Sequence, residues 1–488
     1  MTETSEAQAG HQPFVLCSPE ATIKTVAEAM DLVGAHLAII SEGSRVMGVV
    51  SDGDLRRALL AELRIEEPIA NVMTRDFVSV TAGRKTEELQ RLVRGYKVVP
   101  VLSSEFSLVG VATEGGSTLF PVAAPDISPE DVAAVERTLL SGWISSKSAE
   151  VGDFEENFSR ELDLSPGLAV SNGTAAIELA LKALGLGGGD EVLVPVFTFA
   201  AVANAVIAAG CVPVFVDIEA QNLGLNPEGL ERYLSDRLKA IIVVHSYGAP
   251  AEIESISHFA TSHNLLLIED CAEAIGTKVS GRHVGSFGDA ATFSFFANKT
   301  ITTGEGGFVA FASREVRELA SKIRDHGMSP GKKYWHDVPG HNFRMTGMQA
   351  ALGQSQLRRL AALVGARVQN FKLYSERLGM RPEVKFWSGP PNEHHSHWLS
   401  EFRLVEPFIH HRDVVIERLG SLGVEARPYF YPMSQMPAFE SLKGTHCSFP
   451  VADFESARGI CLPSSSSLRP SEIDVICERV IVVLDGLQ

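Results

Sequence analysis

Short apolar runs that alternate with helical patterns constrain the fold of this chain more than any other feature of its sequence. The runs have the length of buried strands, and amphipathic segments separate most of them. We predict strands at Leu168–Val170, Glu191–Val194, Val212–Val216, Ala240–Val244, Leu265–Glu269, Ala291–Phe295 and Gly307–Phe311. We predict helices at Ala175–Leu184, Phe199–Ala209 and Ile253–His263. This alternation is typical of an α/β fold whose mostly parallel sheet is covered by helices on both faces.

The residues that follow each strand are the candidates for a binding site, because ligands collect at the carboxyl ends of parallel strands. After the first strand, the sequence Ser171-Asn-Gly-Thr-Ala-Ala176 begins a helix. Exposed backbone amides at a helix N-terminus suit a phosphate group, although an ordinary N-cap with a glycine turn is common in such a string. Phe199 follows the second strand, where an aromatic ring either stacks on a planar ligand or packs in the core.

Two ionisable residues follow strands further along the chain. Asp270 comes directly after the fifth strand, where a buried carboxylate needs a cation or hydrogen-bond donors. A protonated pyridine nitrogen would be such a cation. Lys299 closes an apolar run that starts at Phe293. A lysine there either extends its amine to solvent or is desolvated and forms a Schiff base with a carbonyl.

These features form an ordered set. A phosphate-binding turn, a stacking ring, an acid for a pyridine nitrogen and a lysine occur in this order along the chain. Each is common in proteins when it occurs alone. Together they meet the requirements of pyridoxal 5'-phosphate, so we favour a chemical role for Lys299 over a solvent-exposed one.

The first hundred residues contain an internal repeat with an offset of about 62 residues. Each copy predicts a helix followed by two strands and a turn, and neither copy could bury its apolar face alone. The first copy comprises Phe14, the helix Thr22–Val33 and the strands Leu37–Ile40 and Val46–Val50; the second comprises Phe77, the helix Glu87–Val93 and the strands Val98–Leu102 and Leu108–Val111. We therefore expect the two copies to pack side by side.

Length and composition set the domain organisation and exclude several classes of protein. The chain has 488 residues and a net charge of −17, which argues against a general affinity for nucleic acid or an anionic membrane. Its six cysteines have no CxxC spacing, and we see no signal peptide and no membrane-spanning run, so we expect a soluble cytoplasmic protein. We predict a repeat module at 14–116, a linker at 117–128, a large domain at 129–370 and a smaller α+β domain at 371–488. In the smaller domain we predict a helix at Asp413–Gly420, a strand near Val424–Arg427 and a last helix from Ser471.

The N-terminal repeat resembles a tandem pair of CBS domains, mainly in "SPEATIKTVAEAM" and "VMGVVSDGDLRRALL". The resemblance implies that Ser51 and Asp54 hold the ribose and phosphate of an adenine nucleotide. Thr113 keeps the hydroxyl in the second copy, but Gly116 stands where the acid is expected. The pair therefore either binds a regulatory nucleotide, with one complete site, or serves only for packing and assembly.

From about residue 120 onwards the chain resembles the DegT/DnrJ/EryC1/StrS sugar aminotransferases, which have the fold-type-I aminotransferase architecture. The matching strings include "VSNGTAAIELAL", "VPVFTFAAVANAV", "IEDCAEAIGT", "FSFFANKTITTGEGG", "HNFRMTGMQAALGQSQL" and "ICLPSSSSL". The resemblance implies that Lys299 holds pyridoxal phosphate as a Schiff base and that Asp270 pairs with the pyridine nitrogen. It also implies that Phe199 lies on the cofactor ring, that Gly173, Thr174 and Ser294 bind its phosphate, and that Asn342 reaches the phosphate of a neighbouring subunit. The active unit would then be at least a homodimer.

Within that family, Glu273 together with "GWISS", "KTITTGEGG", "NFRMT" and "YFYPM" is most similar to GDP-perosamine synthases. Those enzymes use glutamate to aminate C4 of GDP-4-keto-6-deoxymannose. The resemblance implies that Glu273 lies near the cofactor's phenolic oxygen and that the substrate contacts Trp143, Ser145, Arg344 and Tyr429. Ser434 stands where a histidine is common in relatives, and this leaves open which sugar is the substrate.

Several alternatives to this function remain open. The substrate could be another keto sugar, linked to UDP or dTDP. A sugar dehydratase and a catalytically inactive nucleotide-sensing protein are two further possibilities, but the presence of Lys299 argues against the first and Lys299 with Asp270 against the second. The cluster His394–His397 could be taken for metal ligands, but no cysteine or carboxylate accompanies it at a fitting spacing. We predict no metal and interpret this cluster as a polar edge or a substrate-side loop.

Overall fold

The computed structural model describes residues 14–43, 45–81, 96, 98–103, 106–112, 120–390, 393–442 and 448–487. Its N-terminal part contains β1 (Phe14–Cys17), α1 (Ile23–Val33), β2 (Leu37–Glu42), β3 (Arg45–Ser51), α2 (Asp52–Leu60), β4 (Val80–Thr81), β5 (Val99–Leu102) and β6 (Leu108–Ala112). Strands β1–β3 form one sheet and β4–β6 form another. In both sheets the first pair of strands is parallel and the second pair is antiparallel, so the strand pairing repeats between the two copies. The predicted helix Glu87–Val93 and Thr113 lie outside the described residues.

The large domain continues the chain with a longer series of elements. These are α3 (Pro129–Ser141), α4 (Ala149–Glu161), β7 (Gly167–Val170), α5 (Gly173–Ala183), β8 (Glu191–Pro195), α6 (Ala201–Ala208), β9 (Val212–Val216), β10 (Leu238–Val244), α7 (Ile253–Ser262), β11 (Leu266–Asp270), β12 (Lys278–Val279), β13 (Arg282–His283), β14 (Ala290–Ser294), β15 (Gly307–Phe311), α8 (Arg314–Arg324), α9 (Gly347–Arg358) and α10 (Leu360–Leu378). Helix α3 begins with a capping box, since Ser128 and Asp131 bond reciprocally.

The main sheet of the large domain has the strand order β7-β15-β14-β11-β10-β8-β9. Only β15 runs antiparallel to its neighbours, so the sheet is mostly parallel, as the sequence predicts. Successive residues of a strand belong to different hydrophobic clusters: Ile242 lies in one and Ile241 and Val243 in the other. Because side chains alternate across a sheet, both faces are buried under helices.

The small domain consists of an antiparallel sheet and its covering helices. Its elements are β16 (Val384–Phe386), β17 (Glu393–His394), β18 (Ser400–Leu404), α11 (Arg412–Ser421), β19 (Arg427–Pro428), α12 (Pro450–Arg458), β20 (Gly459–Leu462) and α13 (Pro470–Asp485). The sheet has the order β16-β18-β20-β19, while β17 pairs with β12 of the large domain. This agrees with the predicted α+β character of the C-terminal part.

The described part of the predicted linker packs against the small domain. Phe120 pairs with Val424, and the N–H of Ala124 donates to Ser465 Oγ at 2.8 Å. The repeat module contacts the same region, because Arg479 of α13 donates to the carbonyl of Leu108 at 2.8 Å. Its guanidinium also lies 5.3 Å from the ring centroid of Phe120. Among the described residues, no helix is both long and apolar enough to cross a membrane.

Candidate active site

Lys299 lies in a turn just beyond the carboxyl end of β14, and its side chain is only 13% exposed. The strand ends at Ser294, and the residues after it are held by buried aromatic rings. Phe293 and Phe295 both pack edge-on against Phe158, with ring centroids 5.2 Å apart. This packing fixes the backbone that carries Lys299. The lysine is therefore an internal residue, as the chemical interpretation requires, and it does not extend into solvent.

Glu273 is the nearest acid to Lys299. Its Oε1 lies 3.3 Å from Lys299 Nζ, and its Oε2 accepts a 2.8 Å hydrogen bond from the N–H of Tyr247. Tyr247 adopts a left-handed conformation with φ 55°, which is strained for a bulky residue. The contorted backbone at Tyr247 thus directs an N–H group at Glu273 and fixes the carboxylate that faces the lysine amine.

Asp270 is the last residue of β11 and is buried beside Glu273 and Lys299. Its Oδ1 accepts a 3.0 Å hydrogen bond from the N–H of Ala272 and a 3.4 Å bond from Thr292 Oγ1. Burial raises the pKa of the Asp270 carboxyl to about 6, and the nearby charge of Glu273 acts in the same direction. A buried acid with this property is stabilised in its ionised form by an added cation, so it suits a protonated pyridine nitrogen.

The turn between β7 and α5 is the segment that the sequence predicts to bind a phosphate group. Asn172 caps α5 by accepting from the N–H of Ala175 at 2.8 Å, while Thr174 is exposed at the helix N-terminus. Gly173 approaches Ser294 so closely that a Cβ atom at this position would lie 2.9 Å from Ser294 Cβ. The backbone amides of the turn and the Ser294 hydroxyl are thus brought together, as a bound phosphate requires. These residues, with Asp270 and Lys299, fit pyridoxal phosphate.

Replacing Gly173 with alanine is expected to weaken pyridoxal phosphate binding by about tenfold to a hundredfold, which corresponds to about 1.4–2.8 kcal/mol. The added methyl group would push α5 and Ser294 apart and fill the cradle. Spectroscopic titration of the cofactor-free protein with pyridoxal phosphate measures the effect. The matched control is Gly152→Ala within α4, where a Cβ atom has no neighbour within 4 Å, and it should leave the affinity unchanged. Equal affinity of the Gly173 variant and the wild type would contradict the cradle.

A chain of aromatic residues connects Phe199 with Tyr247, whose N–H group bonds to Glu273. Phe199 is 63% exposed, and its ring centroid lies 6.2 Å from that of Phe430. Phe430 in turn stacks on Tyr247 at 5.0 Å. Phe199 therefore does not belong to the closed core, and its open ring is available to a planar ligand, in agreement with the stacking interpretation.

Two residues that contact Lys299 were not predicted from the sequence motifs. Lys299 Nζ lies 3.7 Å from the ring centroid of Trp398, which precedes β18 in the small domain. Arg367 of α10 donates to the carbonyl of Trp398 at 2.6 Å and to that of Lys299 at 3.4 Å. Both residues are distant from Lys299 in the sequence, and nothing in the local pattern around them indicates a site.

The predicted substrate residues differ in their accessibility. Trp143 and Ser145 are exposed in the turn after α3. Asn342 is exposed as well, and its Oδ1 accepts from Arg344 Nε at 2.9 Å. Arg344 Nη1 forms an ion pair with Asp325 at 2.5 Å, and Lys147 approaches the same carboxylate at 2.9 Å. The guanidinium of Arg344 is thus engaged by an acid, and a diphosphate would have to compete with Asp325 for it.

The structure corrects the prediction that Tyr429 contacts the substrate. Tyr429 is 1% exposed, and its hydroxyl group hydrogen-bonds to Glu401 inside the small domain. Its ring stacks on Tyr247 at a centroid distance of 4.9 Å, so it supports the aromatic wall from behind. The neighbouring Phe430 contacts the exposed ring of Phe199 instead. Successive side chains of an extended segment face opposite directions, so Phe430 and Tyr429 differ in their surroundings.

The structure also corrects the prediction of a polar edge or substrate-side loop for two histidines of the cluster, whereas His394 is exposed in the edge strand β17. His395 and His397 are buried, and their rings stack on each other at 3.7 Å, with Phe371 stacked at 3.7 Å from His397. Burial lowers the pKa of His397 to about 3, so this ring is neutral at physiological pH. His395 and His397 are therefore aromatic elements of the core.

A second group, His245, Glu269 and Cys271, places possible metal-ligand atoms within 4.8 Å of one another. However, His245 Nδ1 accepts from the N–H of Ala251 at 3.1 Å, so Nε2 carries the proton and faces Glu269 at 3.3 Å. Glu269 is further satisfied by the N–H groups of residues 285, 287 and 288. This group is a saturated hydrogen-bond network with no free imidazole nitrogen for a metal.

Ser51 and Asp54 cap helix α2 in the N-terminal module. Asp54 Oδ2 accepts from the N–H of Ser51 at 2.8 Å and from its hydroxyl at 2.6 Å, and Arg57 approaches Oδ1 at 2.5 Å. Partial burial acts to raise the pKa of Asp54, but the Ser51 hydrogen bonds and Arg57 outweigh it, so the pKa is lowered. Ser51 and Arg57 thus favour the ionised form of the Asp54 carboxyl group.

Comparison with known proteins is consistent with this geometry. The model of the DegT/DnrJ/EryC1/StrS aminotransferase family matches residues 125–481, which includes every residue placed around Lys299. The chain belongs to the DegT/DnrJ/EryC1/StrS family. Accordingly, this DegT-family chain is a pyridoxal-phosphate-dependent sugar aminotransferase. The CBS domain model matches residues 10–61, which cover the first copy of the repeat.

Individual relatives of this DegT-family chain agree with that assignment. It is 39% identical over 363 residues to the GDP-perosamine synthase of Vibrio cholerae, covering 74% of this chain and 98% of that protein. It is 37% identical over 322 residues to the UDP-N-acetyl-3-dehydro-alpha-D-glucosamine 3-aminotransferase of Acidithiobacillus ferrooxidans, covering 66% and 85%. Among solved structures, the Helicobacter pylori aminotransferase PseC, involved in pseudoaminic acid biosynthesis, matches with a TM-score of 0.72 and 27% identity, covering 75% of this chain and 99% of that one.

Proposed function

We propose that this aminotransferase transfers the amino group of glutamate to C4 of GDP-4-keto-6-deoxymannose, which yields GDP-perosamine and 2-oxoglutarate. The observation that carries the proposal is the pairing of Glu273 with Lys299 at 3.3 Å, beside Asp270 and the Gly173–Ser294 cradle. The 39% identity to a GDP-perosamine synthase over almost the whole of that protein supports the choice of sugar.

In this proposal each residue of the site has a defined task. Gly173, Thr174 and Ser294 hold the phosphate of pyridoxal phosphate, Phe199 covers one face of its ring, and Asp270 holds a proton at the pyridine nitrogen. The bound cofactor supplies an electron-accepting ring. Lys299 would hold the cofactor through its amine, and the same amine would move a proton at the reacting carbon. Glu273 accepts a hydrogen bond from the lysine amine and orients it.

The test of this function is an assay with nucleotide-linked 4-keto-6-deoxy sugars and glutamate, in which formation of the amino sugar and of 2-oxoglutarate is measured. We expect the GDP-linked sugar to give the highest kcat/KM. A UDP-linked 3-keto sugar should be tested in parallel, because one relative is named for such a substrate. Preference for a UDP- or dTDP-linked sugar would contradict the proposed substrate and leave the transamination itself intact.

We further infer that the active unit is a homodimer in which Asn342 reaches the neighbouring site. In support, apolar side chains of α3 and the turn after it are unusually exposed in the single chain: Leu140 is 79% exposed and Trp143 is 66% exposed. Such a surface is typical of a protein interface. Sedimentation velocity should give at least a dimer, and a monomer that is fully active would contradict this inference.

For the N-terminal module we propose that a nucleotide binds at Ser51 and Asp54 and modulates the enzyme. Asp54→Ala is expected to weaken binding by at least about tenfold, because a hydrogen bond to a charged group contributes about 1.5–3 kcal/mol. Calorimetric titration with AMP, ATP, GDP and GTP measures the effect. Asp52→Ala on the same helical turn, where Asp52 is 56% exposed and pairs with His36, is the control. If no nucleotide binds to the wild type, the module serves only for packing.

A further inference from the structure

We propose that Arg367 is a positioning residue for Lys299, and that it acts through Trp398 and the backbone of the lysine turn. The residue belongs to α10 and is buried there. This inference rests on the proposed role of Lys299, but its main test uses cofactor-free protein.

Arg367 connects three separate parts of the chain. Its Nη1 donates to the carbonyl of Trp398 at 2.6 Å and to that of Ser464 at 3.0 Å, and its Nη2 donates to the carbonyl of Lys299 at 3.4 Å. The guanidinium group is planar and rigid, so these bonds fix the relative positions of the three carbonyl groups. Movement of the lysine turn would therefore break contacts to the small domain.

The environment of Arg367 is unusual for a cation. The residue is 2% exposed, and among the described residues no carboxylate lies within 4.0 Å of its guanidinium, so backbone carbonyls are its only close acceptors. Burial lowers its pKa to about 10, which still leaves it charged at neutral pH. A buried, unpaired cation is costly to the fold and is better explained by the geometry that it imposes than by stability.

Trp398 transmits this geometry to the lysine amine. Its indole N–H donates to the carbonyl of Asn298 at 2.8 Å, which fixes the ring against the lysine turn. The face of the ring then lies 3.7 Å from Lys299 Nζ. A ring face attracts a cation, so Trp398 and Glu273 together hold the amine in one place.

The hydrogen bonds of Arg367 are also connected, through Ser464, to the segment that follows residue 120. The N–H of Ser464 donates to the carbonyl of Val122 at 2.7 Å, and its Oγ accepts from the N–H of Ser400 at 2.6 Å. Arg367 thus holds the lysine turn, the entry to β18 and, through Ser464, the segment after residue 120. The position of Arg367 is therefore set by hydrogen bonds to the small domain as well as by its bond to the lysine turn.

The test compares the reactivity of Lys299 in cofactor-free protein for wild type, Arg367→Met and Trp398→Phe. An amine-reactive reagent is applied at fixed pH, and the labelled peptide is quantified by mass spectrometry. We expect the labelling rate of Lys299 to rise by about twofold to fivefold in Arg367→Met, the factor that corresponds to loss of a cation–π contact. Trp398→Phe keeps a ring but loses the bond to Asn298, so a smaller rise in the same direction is expected.

The matched control is Arg403→Met. Arg403 is 5% exposed and also donates to backbone carbonyls, those of Ala220 and Gln221, but it has no contact with Lys299. Arg403→Met should reduce stability without changing the labelling rate of Lys299. Wild-type labelling in folded Arg367→Met, or an equal rise in Arg403→Met, would overturn the proposal, whatever the outcome of the aminotransferase assays. If Arg367→Met does not fold, the same criteria apply to Trp398→Phe.

Discussion

Lys299→Ala is expected to lower kcat by about 10⁴-fold, because the variant loses both covalent attachment of the cofactor and the group that transfers the proton. The visible absorption of the lysine-bound cofactor should disappear at the same time. The side chain is 13% exposed and contacts Glu273 and the Trp398 ring, so no other amine occupies its place in the described structure. Steady-state kinetics and the absorption spectrum of the purified variant measure both effects.

The control for this prediction is Lys372→Ala. Lys372 lies on the exposed side of α10, where its amine is 3.9 Å from Glu376. Such a surface pair contributes little to stability, so this variant should keep wild-type activity and spectrum. An active Lys299→Ala protein, or a variant that keeps the same absorption band, would contradict the role assigned to the lysine.

Asp270→Asn is expected to lower kcat by about a hundredfold or more while making the cofactor-free protein more stable at alkaline pH. The loss of activity follows because a neutral amide cannot hold the proton on a pyridine nitrogen as a carboxylate does. The gain in stability follows because the ionised carboxylate is buried without a cation in contact. The site would thus sacrifice stability for function, as active sites commonly do.

The raised pKa of Asp270 determines how the stability difference between Asp270→Asn and the wild type changes with pH. The pKa of Asp270 is raised to about 6 in the folded chain from an ordinary value of 3.8, chiefly by burial. Its protonated form therefore favours folding at acid pH, and this contribution is lost as pH rises from about 4 to about 6. A shift of this size corresponds to about 3 kcal/mol. Urea unfolding of cofactor-free protein measures this effect. From pH 4 to pH 8, the free energy of unfolding of Asp270→Asn should increase relative to that of the wild type by up to about 3 kcal/mol.

Asp325→Asn is a control whose relative stability should change with pH in the opposite direction. Burial acts to raise the pKa of Asp325, but Lys147 and Arg344 outweigh it and the pKa is lowered. Its ionised form therefore favours folding above the ordinary pKa, and this contribution is lost on acidification. Replacing it should cost more stability at pH 8 than at pH 4. If Asp270→Asn behaved like Asp325→Asn, the buried acid beside Lys299 would not have the raised pKa on which its pairing with a cation rests.

The sequence predicts the sheet well because its signal is local. Val212–Val216 and Gly307–Phe311 are observed with the predicted bounds, and the other strands of the main sheet differ by at most two residues at an end. Runs that are buried on both faces carry a strong apolar pattern, and helices between them fix the parallel order. For the same reason Asp270, Glu273 and Lys299, which follow strands, come together as the pattern indicates.

The parts that the sequence could not predict depend on contacts between distant segments. Trp398 and Arg367 reach Lys299 from the small domain and from α10, and no local periodicity encodes that meeting. Tyr429 was wrongly predicted to contact the substrate because a motif gives the segment but not the direction of each side chain. Similarly, His395 and His397 were interpreted as polar residues from the sequence, but their rings stack with Phe371 in the core.

The measurement that tests the central claim most directly is the reaction of glutamate alone with the protein loaded with pyridoxal phosphate. We predict that glutamate removes the visible absorption band and releases 2-oxoglutarate in proportion to the protein present. Subsequent addition of GDP-4-keto-6-deoxymannose should restore the band and produce the C4 amino sugar, and Lys299→Ala should do neither. Loss of the band without 2-oxoglutarate, or no change on addition of glutamate, would contradict an aminotransferase built around Lys299.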